Sequence, residues 1–234
     1  VADALNSLES VPVDPDEVVA FTRALIRQPS VTGEEGDLAR QLAQALEEFG
    51  LQVELREVAE GRLNVLARLE GEEPLTALLF HAHMDTVPAG PMARPFSAEI
   101  VDGQIWGRGS VDQKGGLAAA AMALATIARS GRALQRSLAL AVVVDEESEH
   151  RGSVALVEDG LEAQQAVITE PSDLRMVIGC KGTLPFQIRV QGEAAHGCRP
   201  WLGVNAVRQA MEVAGALDAL PYPEYEIPGY GSVK

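Results

Sequence analysis

The stretch LLFHAHMDTVPAG, residues 78–90, limits what this chain can become more than any other segment. An apolar run with the texture of a core strand ends by placing His81, His83 and Asp85 on alternate positions. Alternate side chains of a strand share one face of the sheet, so all three converge on one side. Two imidazoles and a carboxylate are costly to bury alone and well suited to holding a cation. The chain has only four histidines, and two of them sit at this one strand tip.

The flanking sequence supplies a sheet for that strand. LQVELREV alternates as a half-buried strand, LNVLARLEG and LTALLFHAH follow as further strands, and SLALAVVVDEE is another continuous apolar run that ends abruptly in acid. AQQAVITEP repeats that pattern on a smaller scale. Helices are expected between them. Asp14 is an N-cap with Pro15 at the first helical position and Glu17 closing a capping-box-like pattern, and Gln28-Pro29 ends that helix. A second helix runs from about Glu35 to a Gly50 cap, with Leu38, Leu42, Leu46 and Phe49 in step. GGLAAAAMALATIARSG is a third, bounded by glycines. Strands alternating with helices give an α/β fold with a mixed sheet covered on both faces. After residue 183 the texture changes. LPFQIRVQG reads as an antiparallel strand and GVNAVRQAMEVAGALDAL as an amphipathic helix, so the expected units are 1–183 and 184–234.

Net charge is −15, which repels phosphate backbones, so nucleic acid is not an expected partner. Cys180 and Cys198 are the only cysteines, too few for a disulfide framework or a thiolate zinc cluster. No apolar run reaches the roughly eighteen residues of a membrane span, and the first residues lack a signal-peptide layout. No membrane partner and a cytoplasmic location are therefore the expectations.

Four segments place polar or acidic residues at or just past the end of an apolar strand. They are His83-Met84-Asp85, the loop GRGSVDQKGG with Asp112, Asp145-Glu146-Glu147, and Thr169-Glu170-Pro171. Ligands of open α/β sheets bind outside the carboxyl ends of the strands. One imidazole with several carboxylates there makes a mixed nitrogen and oxygen site suited to zinc, with manganese or cobalt as substitutes. A second cation fits the same set, because one carboxylate can bridge two metals about 3.5–4 Å apart.

HMDTVP, GRGSVDQKGG, DEE, TEP and GEAAHGCRP followed by GVNA resemble, in order and spacing, the motifs of metallopeptidase family M20. That is the family of carboxypeptidase G2, acetylornithine deacetylase, succinyl-diaminopimelate desuccinylase and aminoacylase-1. The resemblance runs from about Asp14 to the last residue. It implies a zinc-peptidase-like catalytic domain (1–183) followed by a smaller α+β lid or dimerisation domain (184–234). It implies that His83 and Glu170 ligate one metal, that Asp112 bridges two, and that Glu147 ligates the other. Glu146 then matches the general base, and Asp85 the carboxylate that orients the His83 imidazole. His196 matches a lid histidine that reaches the scissile carbonyl. Asn205 is expected chiefly to cap the helix after it, with substrate contact as a lesser role.

Other residues receive plainer readings. His81 is a packed or supporting histidine, Asp145 a structural carboxylate, and His150 a solvated side chain. Lys114 is a solvated loop cation, Cys180 and Cys198 are small packing residues, and Trp201 is a rim aromatic of a cleft. The family's last metal-binding histidine has no counterpart among His81, His83, His150 and His196. The catalytic domain is thus expected to be incomplete at its carboxyl end, the lid partial, and the second metal weakly held. The implied activity is zinc-dependent hydrolysis of an amide, releasing an amino acid from an N-acyl amino acid or short peptide, with a homodimer through the lid. The alternatives are a tripeptide-type aminopeptidase and a truncated, inactive metal-binding domain.

Overall fold

A computed structural model describes residues 11–177, 182, 185–221, 223–227 and 231–233. Helix α1 spans Pro15–Arg27 and α2 spans Gly36–Glu48. Strands β1 (Gln52–Ala59), β2 (Arg62–Leu69) and β3 (Glu73–His83) follow, then a short hairpin of β4 (Glu99–Val101) and β5 (Gln104–Trp106). Helix α3 (Gly115–Arg129), strand β6 (Arg136–Val143), helix α4 (Arg151–Glu158) and strand β7 (Gln165–Ile168) complete this part.

Five strands form one mixed sheet in the order β1-β2-β6-β3-β7. The β1–β2 and β2–β6 pairs are antiparallel, whereas β3 runs parallel to both β6 and β7. The alternation in β2, β6 and β3 sorts side chains between two cores. On one face, Val65, Ala67, Ala82, Leu140 and Val142 meet Leu38, Leu42 and Leu46 of α2 and Leu117, Ala121 and Leu124 of α3. On the other, Ala141, Val143, Leu66 and Leu79 meet Leu156 of α4. The expected α/β architecture with helices on both faces is present. The second face is the thinner one, with α4 as its helix among the described residues.

Local signals act as expected at most ends. Asp14 caps α1 by accepting from the Asp16 N–H at 2.9 Å. Glu17 does not close a capping box; it pairs with Arg129 of α3 at 2.6 Å, where a bidentate guanidinium competes for the same carboxylate. Gly50 ends α2 with a φ of 88°, and Phe49 beside it packs edge-to-face on Phe21 with centroids 5.3 Å apart.

The chain divides into two compact units, Val1–Val177 and Ile178–Lys234, a few residues before the expected division after residue 183. In the second unit, α5 (Ala206–Asp218) begins at Asn205, whose side chain accepts from the Arg208 N–H at 3.2 Å. Strands β8 (Tyr225–Ile227) and β9 (Gly231–Val233) form a hairpin. The strand expected over 184–192 is absent from the described residues 185–192, which carry no ladder. Alternation alone does not hold a strand; it needs a neighbour to satisfy its backbone, and only a single bridge, Glu193 to Val204, forms nearby. The apolar stripe of α5, including Val207 and Met211, is correspondingly exposed.

Candidate metal centre

Parallel pairing sets the site. His83 is opposite Val143 in register, and Met84 N–H donates to Val143 O at 3.0 Å, so β3 and β6 end side by side. Beyond these ends come Asp85 on one strand and Asp145-Glu146-Glu147 on the other. Strand β7 ends next to them, with Thr169 N–H donating to His81 O at 3.1 Å, which brings Glu170 in from the third strand. Asp112 arrives from a turn, Ser110–Lys114, that leads into α3. Two glycines allow that turn its position. Gly109 has a φ of 80°, and a Cβ there would lie 2.8 Å from the Thr86 side chain. A Cβ on Gly116 would lie 2.5 Å from Thr169 O.

The His83 ring is buried, and its Nδ1 lies 2.9 Å from the main-chain oxygen of Asp85. A carbonyl only accepts, so Nδ1 carries the proton, and Nε2 is the free donor atom in the neutral ring. Nε2 faces Asp112 Oδ1 at 2.9 Å, Glu146 Oε2 at 3.7 Å and Glu170 Oε1 at 3.7 Å. Asp85 thus orients the ring through its carbonyl more closely than through its carboxylate, which is 3.5 Å away. That carboxylate instead accepts the N–H groups of Glu146 and Glu147 at 3.0 and 3.1 Å and the Thr32 hydroxyl at 3.0 Å. Burial would raise the Asp85 pKa, but its hydrogen bonds to His83, Glu146 and Glu147 hold it below the usual value.

Two sets of donor atoms lie within 4.8 Å of one another: His83 with Asp112 and Glu147, and His83 with Glu146 and Glu170. The resemblance grouped Glu170 with Asp112 around His83; in this arrangement Glu170 is compact with Glu146 instead. The electrostatics fit a cation. Burial and then the charge of Asp112 raise the Glu147 carboxyl, while burial raises Glu170 against the opposing charge of His83. Burial would lower the His83 pKa, yet hydrogen bonds to Asp85 and Asp112 and the surrounding negative charge push it up to about 9. Crowded carboxylates around one imidazole are the donor chemistry of a divalent metal. His83, Asp112, Glu147, Glu170 and the intervening Glu146 are all within its reach.

Several supporting residues escaped the sequence. Lys114 is the clearest correction: it is fully buried, and its Nζ donates to Leu25 O at 2.9 Å and Gln28 O at 2.8 Å at the end of α1. Burial pushes its ammonium down to about 7. Gln113, also fully buried, contacts β3 and the segment after β7. Arg62 holds Glu35 through two hydrogen bonds of 2.5 and 2.9 Å and Asp145 at 2.8 Å. Only the position of Gln113 and Lys114, between an acidic ligand candidate and a helix start, could have drawn notice.

His81 is outside both donor sets; its Nε2 meets Ser153 Oγ at 3.1 Å, and its buried Nδ1 has no partner among the described residues. Asp145 is buried against Arg62. The exposed His150 ring comes within 3.6 Å of Glu146 Oε1. His196 and Asn205 belong to the second unit, where His196 Nδ1 accepts the Cys198 N–H at 3.2 Å. Cys198 and Trp201 are exposed, and Cys180 lies outside the described residues.

Comparisons with known proteins give a family by sequence and a likeness of fold by structure. A succinyl-diaminopimelate desuccinylase of Methylorubrum populi is 35% identical, over 87% of this chain and 57% of the relative. The chain therefore spans little more than half the length of that relative. A tripeptidase structure from Staphylococcus aureus superposes with a TM-score of 0.65 over 94% of this chain and 64% of the other, at 19% identity. The aminopeptidase PepT structure from Bacillus cereus gives 0.60 over 89% and 57%, at 22% identity. Because residues 79–231, which carry all the candidate donors, match Peptidase family M20/M25/M40, the chain belongs to that family.

Proposed function

We propose that this chain carries the metal centre of a zinc-dependent hydrolase that cleaves the amide of an N-acyl amino acid. The observation that carries the reading is the convergence of one imidazole and four carboxylates at the ends of β3, β6 and β7 and on the turn before α3. The relative at 35% identity, a desuccinylase by name, favours an acyl amino acid over a tripeptide as substrate class. The similarity to tripeptidase and PepT structures supports the fold.

His83, Asp112, Glu147 and Glu170 would hold the metal. The chemistry that a bound divalent ion supplies is Lewis acidity, which polarises a carbonyl and acidifies water. Glu146 takes the proton of the attacking water as the oxygen bonds to the carbonyl carbon. It returns that proton to the amine nitrogen as the C–N bond breaks, and the remaining hydroxyl proton passes to the released amine, leaving a carboxylate and an ammonium. Its aim is set by the Asp85 carboxylate on its own N–H. Asp85 also keeps the Nε2 of His83 turned to the centre.

The test is zinc content and turnover of the purified chain on N-succinyl and N-acetyl amino acids and on tripeptides. Zinc with acyl release establishes the reading. Tripeptide cleavage alone would favour an aminopeptidase, and zinc without any turnover would favour a metal-binding domain. A chain that takes up no divalent metal would overturn it.

A further inference from the structure

Gln113 sits on the turn that carries Asp112 and touches two other segments that build the metal centre, and no catalytic or ligand role has used it. Its Oε1 accepts the His83 main-chain N–H at 3.2 Å and the Thr169 hydroxyl at 2.7 Å. Its Nε2 donates to Glu170 Oε1 at 2.5 Å. The side chain is fully buried, so no solvent competes for these bonds. The orientation of the amide is forced. Turning it over would set its NH2 against the His83 N–H and its oxygen against a carboxylate. The Thr169 hydroxyl has one proton, and Gln113 is nearer than its other acceptor, His81 O at 3.4 Å.

We propose that Gln113 is a positioning residue for the metal centre, which fixes the aim of Glu170 against His83 and is itself aimed by Thr169. This rests on the metal reading above. Glu170 is half-exposed just past the end of a short strand, where, apart from the 3.7 Å approach of His83 Nε2, nothing else among the described contacts holds its carboxylate. One oxygen is committed to the amide, which restricts how the carboxylate meets an ion. Partners that orient metal ligands typically change affinity by about 10–100-fold when lost.

Gln113→Met keeps the volume and removes both the donor and the acceptor. The expected result is zinc affinity about 10–100-fold weaker in competition with a chromogenic chelator. The d–d absorption of the cobalt-loaded chain should also change, because Glu170 is free to bind differently. A role in packing alone would lower the melting temperature of the metal-free chain and leave the cobalt spectrum as it was. Thr169→Val removes only the hydroxyl that aims the amide, and should weaken zinc in the same direction by less. Combined with Gln113→Met it should add nothing, since Thr169 acts through the amide. Parent-like zinc affinity and an unchanged cobalt spectrum in Gln113→Met would overturn the proposal. Should that variant not fold, unchanged affinity in Thr169→Val overturns it and weakened affinity supports it. His83→Ala separates the two levels. If it keeps the parent's zinc, the metal reading itself has failed; if it loses zinc while Gln113→Met does not, only the role of Gln113 has.

Discussion

Asp85 Oδ1 lies 3.0 Å from the main-chain nitrogen of Glu146, so the strand that presents His83 also pins the turn that presents the proposed base. The second oxygen does the same for Glu147 at 3.1 Å. One buried carboxylate therefore couples β3 to the end of β6, through bonds that only an acceptor can make. Asp85→Asn places an NH2 against one of these N–H donors. The expected result is a 10–100-fold loss of metal affinity or turnover, in the range seen for groups that orient ligands, with the fold retained. Metal titration and circular dichroism of the variant check it, and parent-like affinity would show the coupling to be idle.

Replacing His83 by alanine removes the one nitrogen shared by both donor sets. Most bound divalent metal should be lost, as read by metal analysis after dialysis. Circular dichroism should remain that of the parent. Retained metal would mean that the carboxylates suffice.

Glu146→Gln should keep the metal and lose turnover by about 10²–10⁴-fold, the usual contribution of a general base. Glu147→Gln should instead weaken metal binding. The reverse pattern would exchange the two roles.

Arg62 is the single guanidinium that serves both Glu35 and Asp145, whose side chains are 0% and 3% exposed. Arg62→Met leaves two carboxylates facing each other with Arg151, 3.7 Å from Asp145, as the remaining cation near them. Breaking a buried pair from one side typically costs about 3–5 kcal/mol, and urea unfolding of the metal-free chain should show a loss of that order. Arg62→Lys should recover only part, because an ammonium does not reproduce the two-point contact with Glu35. A loss under about 1 kcal/mol, the size of a surface pair, would refute this.

For Lys114→Met two effects oppose. The variant relieves a desolvated ammonium, but it leaves the oxygens of Leu25 and Gln28 without their donor. Unsatisfied buried acceptors cost about 1–3 kcal/mol each, so net destabilisation is expected in urea unfolding. Metal binding should weaken with it, since the same turn carries Asp112. A variant as stable as the parent would show that burying the charge outweighs its hydrogen bonds.

The elements and the acidic segments were legible because they are local. The caps at Asp14 and Asn205, the glycine stop at Gly50 and the two-residue alternation ending in His83 follow from chemistry within a few positions. The expected strand over 184–192 had the same local pattern and still did not form among its described residues, because a strand is defined by what pairs with it.

By itself, then, the sequence determined an α/β chain whose strand ends carry His83, Glu146, Glu147 and Glu170 and whose GRGSVDQKGG loop carries Asp112. Tertiary structure alone decided how those residues are held. Gln113 and Lys114 look like ordinary loop residues until burial removes water and forces each polar atom to find a partner far along the chain. Glu35 and Arg62 are likewise unremarkable surface types in the sequence, and join Asp145 in one buried ion group only when the start of α2, the start of β2 and the end of β6 meet. The cause in each case is the same: desolvation is a property of the packed chain, and no window of sequence contains it.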